Sequence, residues 1–370
     1  MHQTPATPLP ARPQADPGGS QSLLAEQRKS AELESLITAD PARLRIATGD
    51  RPTGPLHLGH YFGTLANRVR LQRAGVQLFV LVADYQVLTD RDVADRLTER
   101  IDGLVADYLA AGIDPDAATI FTHSAVPALN QLMLPFLSLV SVPELRRNPT
   151  VKAEIAGSRQ QSVSGLMLTY PVHQAADILF CKANVVPVGK DQLPHLQLSW
   201  AIARRFNDRY AAGSSFFPVP DPFLSAAPNL LGTDGEKMSK SRGNAIALAA
   251  TADETAQLIR AAKTDAQRHI SYEPQSRPEV SSLVLLAALC QGRDPAEVAA
   301  EIGAGGSAKL KRVVTQSVNE YLRPIRARRA ELAGDTGFLR QVLREGNARA
   351  NAVASRTLTE VHALMGTGPR

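Results

Sequence analysis

Cysteine is nearly absent: 370 residues carry only Cys181 and Cys290, with no CxxC spacing. That argues against a disulfide framework and a structural metal site, and both thiols are expected to be reduced core residues. Long apolar runs are missing too. No stretch approaches the roughly 18 residues that a membrane helix needs. The N-terminus has neither the basic start nor the apolar segment of a secretion signal. The expected setting is the cytoplasm, with no membrane partner. Internal repeats are also lacking. Acids are scarce in one region: between Lys309 and Arg349 ten basic residues face four acidic ones, although the whole chain carries only +5. Such an excess could neutralise several phosphates of a nucleic acid, and a solvated helix face is the other reading.

What is present suffices for two or three domains at about 100–200 residues each, and an apolar fraction of 44% suits an ordinary core. Residues 1–20, rich in Pro, Gln, Gly and Ala, cannot bury enough surface to offset ordering entropy and are expected to be disordered. Residues 22–38 have helical spacing, so 1–40 reads as an N-terminal extension. From Leu44, short apolar runs alternate with longer helix-period segments. Strands are expected at 44–48, 78–83, 118–122 and 184–187, and helices at 61–74, 92–111 and 193–206. This alternation predicts an α/β fold over residues 41–248, a doubly wound parallel sheet with right-handed crossovers. Segments 251–263, 279–292, 294–302, 307–332, 336–345 and 347–365 then have helical period without strand patterns, which predicts an all-helical C-terminal domain over 249–370. Sites of open parallel sheets lie beyond the carboxyl ends of the strands, where strand order reverses. The loops at 49–60 and 187–192 are therefore candidates for one site.

The first loop reads Gly49-Asp50-Arg51-Pro52-Thr53-Gly54-Pro55-Leu56-His57-Leu58-Gly59-His60. Gly54 and Gly59 have the spacing of a P-loop, but His60-Tyr61 stand where Lys and Ser/Thr are required, which excludes one. What remains is a glycine that lets backbone approach a nucleotide, with two imidazoles at a helix N-terminus. Amide donors and the positive dipole end favour anionic oxygens there. His57 and His60, three apart, share one face of the first turn and are placed to donate to a phosphate as it gains charge. The HxGH tetrapeptide also occurs in small nucleotidyltransferases, so alone it points to attack on an α-phosphate without naming the substrate.

The second loop, Gly235-Glu236-Lys237-Met238-Ser239-Lys240-Ser241-Arg242-Gly243-Asn244, packs three cations and two hydroxyls between glycines. Lysine ammoniums are mobile point charges. On a loop they can close over a leaving diphosphate and exclude water from a labile intermediate.

Together, HLGH at 57–60 and KMSKS at 237–241 resemble the signature pair of class I aminoacyl-tRNA synthetases. Thr169-Tyr170-Pro171-Val172-His173-Gln174-Ala175-Ala176-Asp177-Ile178 and Val186-Pro187-Val188-Gly189-Lys190-Asp191-Gln192 are similar to the tyrosyl/tryptophanyl subgroup. From about Leu44 to Met365 the chain resembles the tryptophanyl-tRNA synthetase family, in a divergent second bacterial type whose first loop reads GDRPTG. The resemblance implies a Rossmann-like catalytic domain followed by a helical anticodon-binding domain. It implies a homodimer that forms tryptophanyl-adenylate from ATP and L-tryptophan and transfers the amino acid to tRNA(Trp). Mg²⁺ would be held mainly by the phosphates, so no residue is named as a metal ligand.

By this resemblance Arg51, Pro52, Thr53, Gly59 and His60 line the ATP site, with His57 at its rim. Gly189, Lys190 and Asp191 belong to the same site, Gly189 and Asp191 at the ribose. Lys237 and Lys240 bind the pyrophosphate portion within a loop that includes Met238, Ser239 and Ser241. The catalytic set is then His57, His60, Lys237 and Lys240. Asp177 would accept the indole N–H, Tyr170 and Gln192 would contact the substrate ammonium, and Gln174 and Gln86 complete the tryptophan set.

Tyrosine is the competing substrate. Tyrosyl enzymes usually carry a Tyr on the first strand, where this chain has Ala47 and Thr48. Departures from the commoner tryptophanyl pattern are Arg51 for Gln, Gln86 for His, Gln174 for Met, and Ala47 for a larger residue. They imply a more polar, roomier pocket and an altered tolerance for substituted indoles. Two readings from other classes are a small HxGH nucleotidyltransferase and a non-catalytic RNA-binding paralogue.

Overall fold

The computed structural model describes residues 31–89, 96–157, 163–188, 193–224, 230–240 and 242–368. Gly189, Lys190, Asp191, Gln192, Ser241 and residues 1–30 lie outside the described residues. Strands β1 (Arg45–Asp50), β2 (Gln77–Val82), β3 (Ala118–Thr122), β4 (Val185–Val188) and β5 (Asp221–Leu224) form one sheet in the order β3-β2-β1-β4-β5. Every pairing is parallel, as the alternation predicts. Inner strand β2 reads as an apolar run because both faces are covered: every residue from Leu78 to Val82 is buried, while β1 buries Ile46 and Ala47. Strand order reverses between β1 and β4, so the crevice beyond their carboxyl ends is the expected ligand position.

Helix α1 (residues 31–39) lies against the sheet layer through Leu33 and Ile37. Its Glu34 pairs with Arg70 at 2.7 Å. Helix α2 begins at Leu58–His60, three residues before the expected start. It passes through a π-helical stretch, Tyr61–Leu65, and continues as Ala66–Arg73. Helix α3 (Leu97–Ala111) follows, then four short helices: α4 (Pro127–Gln131), α5 (Met133–Leu137), α6 (Val142–Arg147) and α7 (Pro149–Gly157). Helix α8 (Gly165–Leu179) starts where the Ser164 side chain accepts the Met167 N–H, and α9 (Leu193–Tyr210) leads to β5.

The remaining helices are α10 (Ala252–Ala261), α11 (Pro278–Gln291), α12 (Pro295–Ile302), α13 (Gly306–Ala333) and α14 (Thr336–Met365). Their starts are written locally. Thr251 and Glu254 form a reciprocal cap on α10, and Asp294 with Pro295 opens α12. Their buried apolar residues join those of the sheet layer in one cluster that runs from Leu33 to Leu343. No helix among the described residues is long and apolar enough to cross a membrane.

The expected break between 345 and 347 is absent, since α14 is one continuous helix of 30 residues. Gly346 is there for close approach. A Cβ at this position would stand 1.8 Å from the Ile120 carbonyl oxygen of edge strand β3. The neighbouring Asn347 side chain accepts the Thr122 N–H at 3.0 Å, and Arg349 donates to the carbonyls of Pro115 and Ala118. Helix α14 thus covers an edge that would otherwise offer unpaired backbone groups. Gly346→Ala is expected to destabilise the fold by about 1–3 kcal/mol, because the strand backbone cannot yield. A urea midpoint equal to that of the parent chain would refute this.

Candidate active site

The first loop leaves β1 at Asp50, and the fold braces it from below. The Asp50 carboxylate takes the Arg68 guanidinium at 2.5 Å and the Tyr108 hydroxyl at 2.8 Å. Burial pushes the Asp50 carboxyl up, but the Arg68 charge and hydrogen bond outweigh it and hold the group at about 2. Gly54 has φ +138°, a conformation that only glycine adopts without strain. One loop amide, that of Leu56, donates to the buried carboxylate of Asp107 at 2.8 Å.

The two signature loops are stitched together by short antiparallel pairing. Leu248 N–H donates to Leu56 O at 2.8 Å, and Leu58 N–H donates to Ile246 O at 3.0 Å. Across this seam Lys240 Nζ donates to Gly54 O at 2.8 Å. The Gly59 amide points at the Met238 sulfur, 3.4 Å away, and a thioether is a weak acceptor. A side chain at Gly59 would stand 3.0 Å from the His57 ring. The free-amide picture of the helix start is therefore incomplete: Leu58 N–H is already satisfied, and Gly59 N–H is covered by Met238. Asn244, 2% exposed, holds the lysine loop in shape. Its side chain accepts the Ser239 N–H at 2.8 Å and donates to Asp234 at 2.7 Å and to Lys237 O at 3.2 Å.

His57 and His60 do come together, with ring centroids 3.6 Å apart. His60 Nδ1 accepts the His57 N–H at 3.3 Å, so in the neutral ring Nε2 carries the proton and is the donor. His57 is buried rather than at the rim. Burial, then the neighbouring charges of His60 and Lys240, bring the His57 imidazole down to about 3. Burial likewise brings His60 to about 4, against the opposing pull of Asp50. Both rings are therefore neutral donors at pH 7 in this state, not cations. Below pH 6.5 the unfolded chain takes up protons that the folded chain refuses until about pH 3–4, so stability falls as pH falls through that window. The urea midpoint is expected to drop from pH 7 to pH 5, and less so in His57→Gln/His60→Gln; equal drops would refute it.

A second polar cluster lies beyond the adjoining strand ends. Asp84 follows β2 and accepts the amides of Tyr85 at 3.0 Å and Ser124 at 3.2 Å. His123 follows β3, fully buried, and its Nε2 is 2.8 Å from Asp177 Oδ1 on α8. The His123 and His173 rings are 4.3 Å apart, and His173 Nε2 is 2.8 Å from Asn130 Oδ1. Tyr85 stacks over His123 at 6.1 Å. Tyr170 is buried with its hydroxyl 3.2 Å from His195 Nε2. Gln86 and Gln174 are half-buried, while Ala47 is buried in the apolar cluster below.

Donor atoms of His123, His173 and Asp177 lie within 4.8 Å of one another, among the described residues the one group of that kind. Two imidazoles suit a transition metal rather than Mg²⁺. Each also has a protein partner, so the cluster does not fit as an Mg²⁺ site. Burial pushes the Cys181 and Cys290 thiols up to about 12, which leaves no thiolate nucleophile.

Of the expected site residues, Pro52 is buried, Thr53 half-buried, and Arg51 and Lys237 exposed. Sequence reasoning missed Asp50, Arg68, Tyr108, Asp107, Asn244, Asp84 and His123. A signal existed for Asp107: it is the one charge in the apolar run Leu104–Ala111.

The family described as tRNA synthetases class I (W and Y) matches residues 40–323. The chain belongs to this family. Among its relatives, the tryptophan–tRNA ligase of Streptococcus pyogenes serotype M1 is 42% identical over 332 residues, covering 87% of this chain and 97% of the relative. That of Treponema pallidum (strain Nichols) is 40% identical over 334 residues, covering 88% and 98%. The crystal structure of tryptophanyl-tRNA synthetase from Campylobacter jejuni, complexed with ADP and tryptophan, superposes with a TM-score of 0.75 at 26% identity, over 87% of this chain and 100% of that one. Both stitched loops, with HLGH at 57–60 and KMSKS at 237–241, lie inside the matched residues.

Proposed function

We propose that the chain activates L-tryptophan with ATP and transfers it to tRNA(Trp). The observation that carries this reading is the seam between the two signature loops, where Lys240 reaches Gly54 beside the paired imidazoles. No side-chain nucleophile is needed, because the substrate carboxylate attacks the α-phosphate and pyrophosphate leaves. The chain supplies position and charge. His60 Nε2 and His57 donate to phosphate oxygens, Lys237 and Lys240 offset charge on the departing diphosphate, and the Gly59 amide becomes available where the Met238 thioether yields. Arg51, Pro52, Thr53, Ser239 and Ser241 complete this wall, with Gly189, Lys190 and Asp191 at the ribose. Mg²⁺ enters as part of the ATP substrate.

The amino-acid side of the site is the cluster beyond β2 and β3. Asp177 accepts the indole N–H, and Tyr170, Gln192, Gln174 and Gln86 surround the substrate. Tyrosine is disfavoured as substrate, since relatives at 40–42% identity are tryptophan–tRNA ligases and β1 carries Ala47 and Thr48 in place of a Tyr. A small nucleotidyltransferase is disfavoured by the family match over residues 40–323.

For tRNA the helical region 249–370 is the candidate anticodon-recognition surface. The basic excess is smaller there than the sequence suggests. Lys309, Lys311, Arg326, Arg329 and Arg349 bind protein oxygens, whereas Arg312, Arg323, Arg328, Arg340 and Arg344 are exposed, Arg340 with a long contact to Asp102. We take the working unit to be a cytoplasmic homodimer, as in the family. The deciding experiment is ATP–pyrophosphate exchange with each of the twenty amino acids. Stimulation by tryptophan is expected, and stimulation by tyrosine alone would overturn the assignment.

A further inference from the structure

Asp107 sits on α3 with no exposed surface, and each of its carboxylate oxygens has a different partner. Oδ2 accepts the amide of Leu56, the residue before His57, at 2.8 Å. Oδ1 accepts Arg329 Nε at 2.6 Å from α13. Leu56 is also the residue whose carbonyl is paired to Leu248, just beyond the lysine loop. The same α13 also touches α2, where the hydroxyls of Tyr61 and Tyr321 are 3.0 Å apart. Arg329 thus belongs to the basic helix yet turns inward, its side chain 23% exposed, while Arg323 and Arg328 beside it face solvent.

We propose that Arg329 is a positioning residue for ATP, acting through Asp107 on the backbone of the HLGH loop. This rests on the reading of residues 49–60 as the ATP wall. A carboxylate taken out of water must be compensated, and here the compensation comes from two sides at once. With Arg329 in place, both Asp107 oxygens are partnered and the carboxyl pins Leu56, which fixes where His57 and Gly59 begin. Without it, a buried charge is left beside one amide, and the carboxylate must protonate, draw water or move. Each outcome shifts the loop that has to meet the phosphates. Burial pushes the Asp107 carboxyl up, while Arg329 and the Leu56 amide pull it back. Lys240 also lies within electrostatic reach of Asp107, so the same carboxylate bears on both signature loops.

The test uses full-length protein and tryptophan-dependent pyrophosphate exchange. Arg329→Met is expected to raise KM for ATP about tenfold while KM for tryptophan stays within about twofold, since misplacement of a positioning element costs rate at the group it positions. Arg329→Met/Asp107→Asn removes the stranded charge and keeps an oxygen for Leu56, so KM for ATP is expected to return to within about threefold of the parent value. Arg205→Met, which breaks the Arg205–Glu144 pair far along the chain, controls for loss of an ion pair and should leave KM for ATP unchanged. A fall in Tm in Arg329→Met with both KM values unchanged would overturn the proposal, as would a double variant that does not recover. Lys240→Ala separates the two levels. If it too leaves ATP kinetics intact, the ATP reading of the loops fails; if it alone is impaired, only the role of Arg329 fails.

Discussion

Lys240→Ala is expected to lower kcat for tryptophan-dependent pyrophosphate exchange by about 10²–10³-fold, with KM for tryptophan changed by less than about threefold. The effect has two sources at one atom. Lys240 Nζ donates to Gly54 O at 2.8 Å and so ties the lysine loop to the first loop. It is also, on the proposed reading, a half-buried cation facing the leaving diphosphate. Burial pulls the ammonium down, and the charges of Asp50 and Asp107 offset part of that. A charge in a partly desolvated loop counts for more than one in water. Because the interaction strengthens as charge develops on the diphosphate, its loss belongs in kcat rather than in substrate binding. Lys240→Arg should restore only part of the rate, since the planar guanidinium is a fork and not a compact point charge. A kcat within fivefold of the parent for Lys240→Ala would refute the assignment.

The parts of this arrangement that can be read along the chain are those whose cause is local. Strand β2 is an apolar run because the sheet is covered on both faces, and the two signature loops announce themselves by residue type and spacing. Strand β5 is invisible for an opposite reason. It is four residues long, starts with Asp221 and contains Pro222, a residue tolerated at a sheet edge and read as a strand breaker elsewhere. Gly346 misleads in the same way, because a missing Cβ serves close packing there and looks like a helix end in sequence. The pairs that brace the site are long-range. Arg68 lies 18 residues from Asp50, and Arg329 lies 222 residues from Asp107. No local pattern joins such partners, although a lone carboxylate in an apolar run signals that a partner must exist. The basic region shows the converse error: five of its ten cations are turned to protein carbonyls and side chains, and composition cannot tell these from cations that face solvent.

The proposed indole contact is at Asp177, and here the expected result is a loss that depends on the substrate used. Asp177→Ala should reduce kcat/KM for tryptophan by about 10³-fold or more, because a site built to bond a polar substrate group discriminates far more strongly than a merely apolar one. Part of that loss is structural: Asp177 Oδ1 is the partner of buried His123 Nε2, and the other ring nitrogen, His123 Nδ1, already has no hydrogen-bond partner among the described residues. Truncation therefore leaves a buried imidazole with neither nitrogen satisfied, at a cost beyond the lost substrate contact. The two contributions separate with a benzothiophene analogue of tryptophan, which keeps the shape and lacks the indole N–H. The parent enzyme should reject it by about 10²-fold or more, whereas Asp177→Ala should handle it and tryptophan about equally, since the unpaired acceptor is gone in the variant. His123→Gln provides the second arm: the amide can donate to Asp177 in place of the imidazole, so preference for tryptophan over the analogue should persist while the rate falls modestly. If Asp177→Ala loses the same factor on both substrates, the carboxylate only supports His123 and the fold, and the indole N–H must find its partner elsewhere in the cluster.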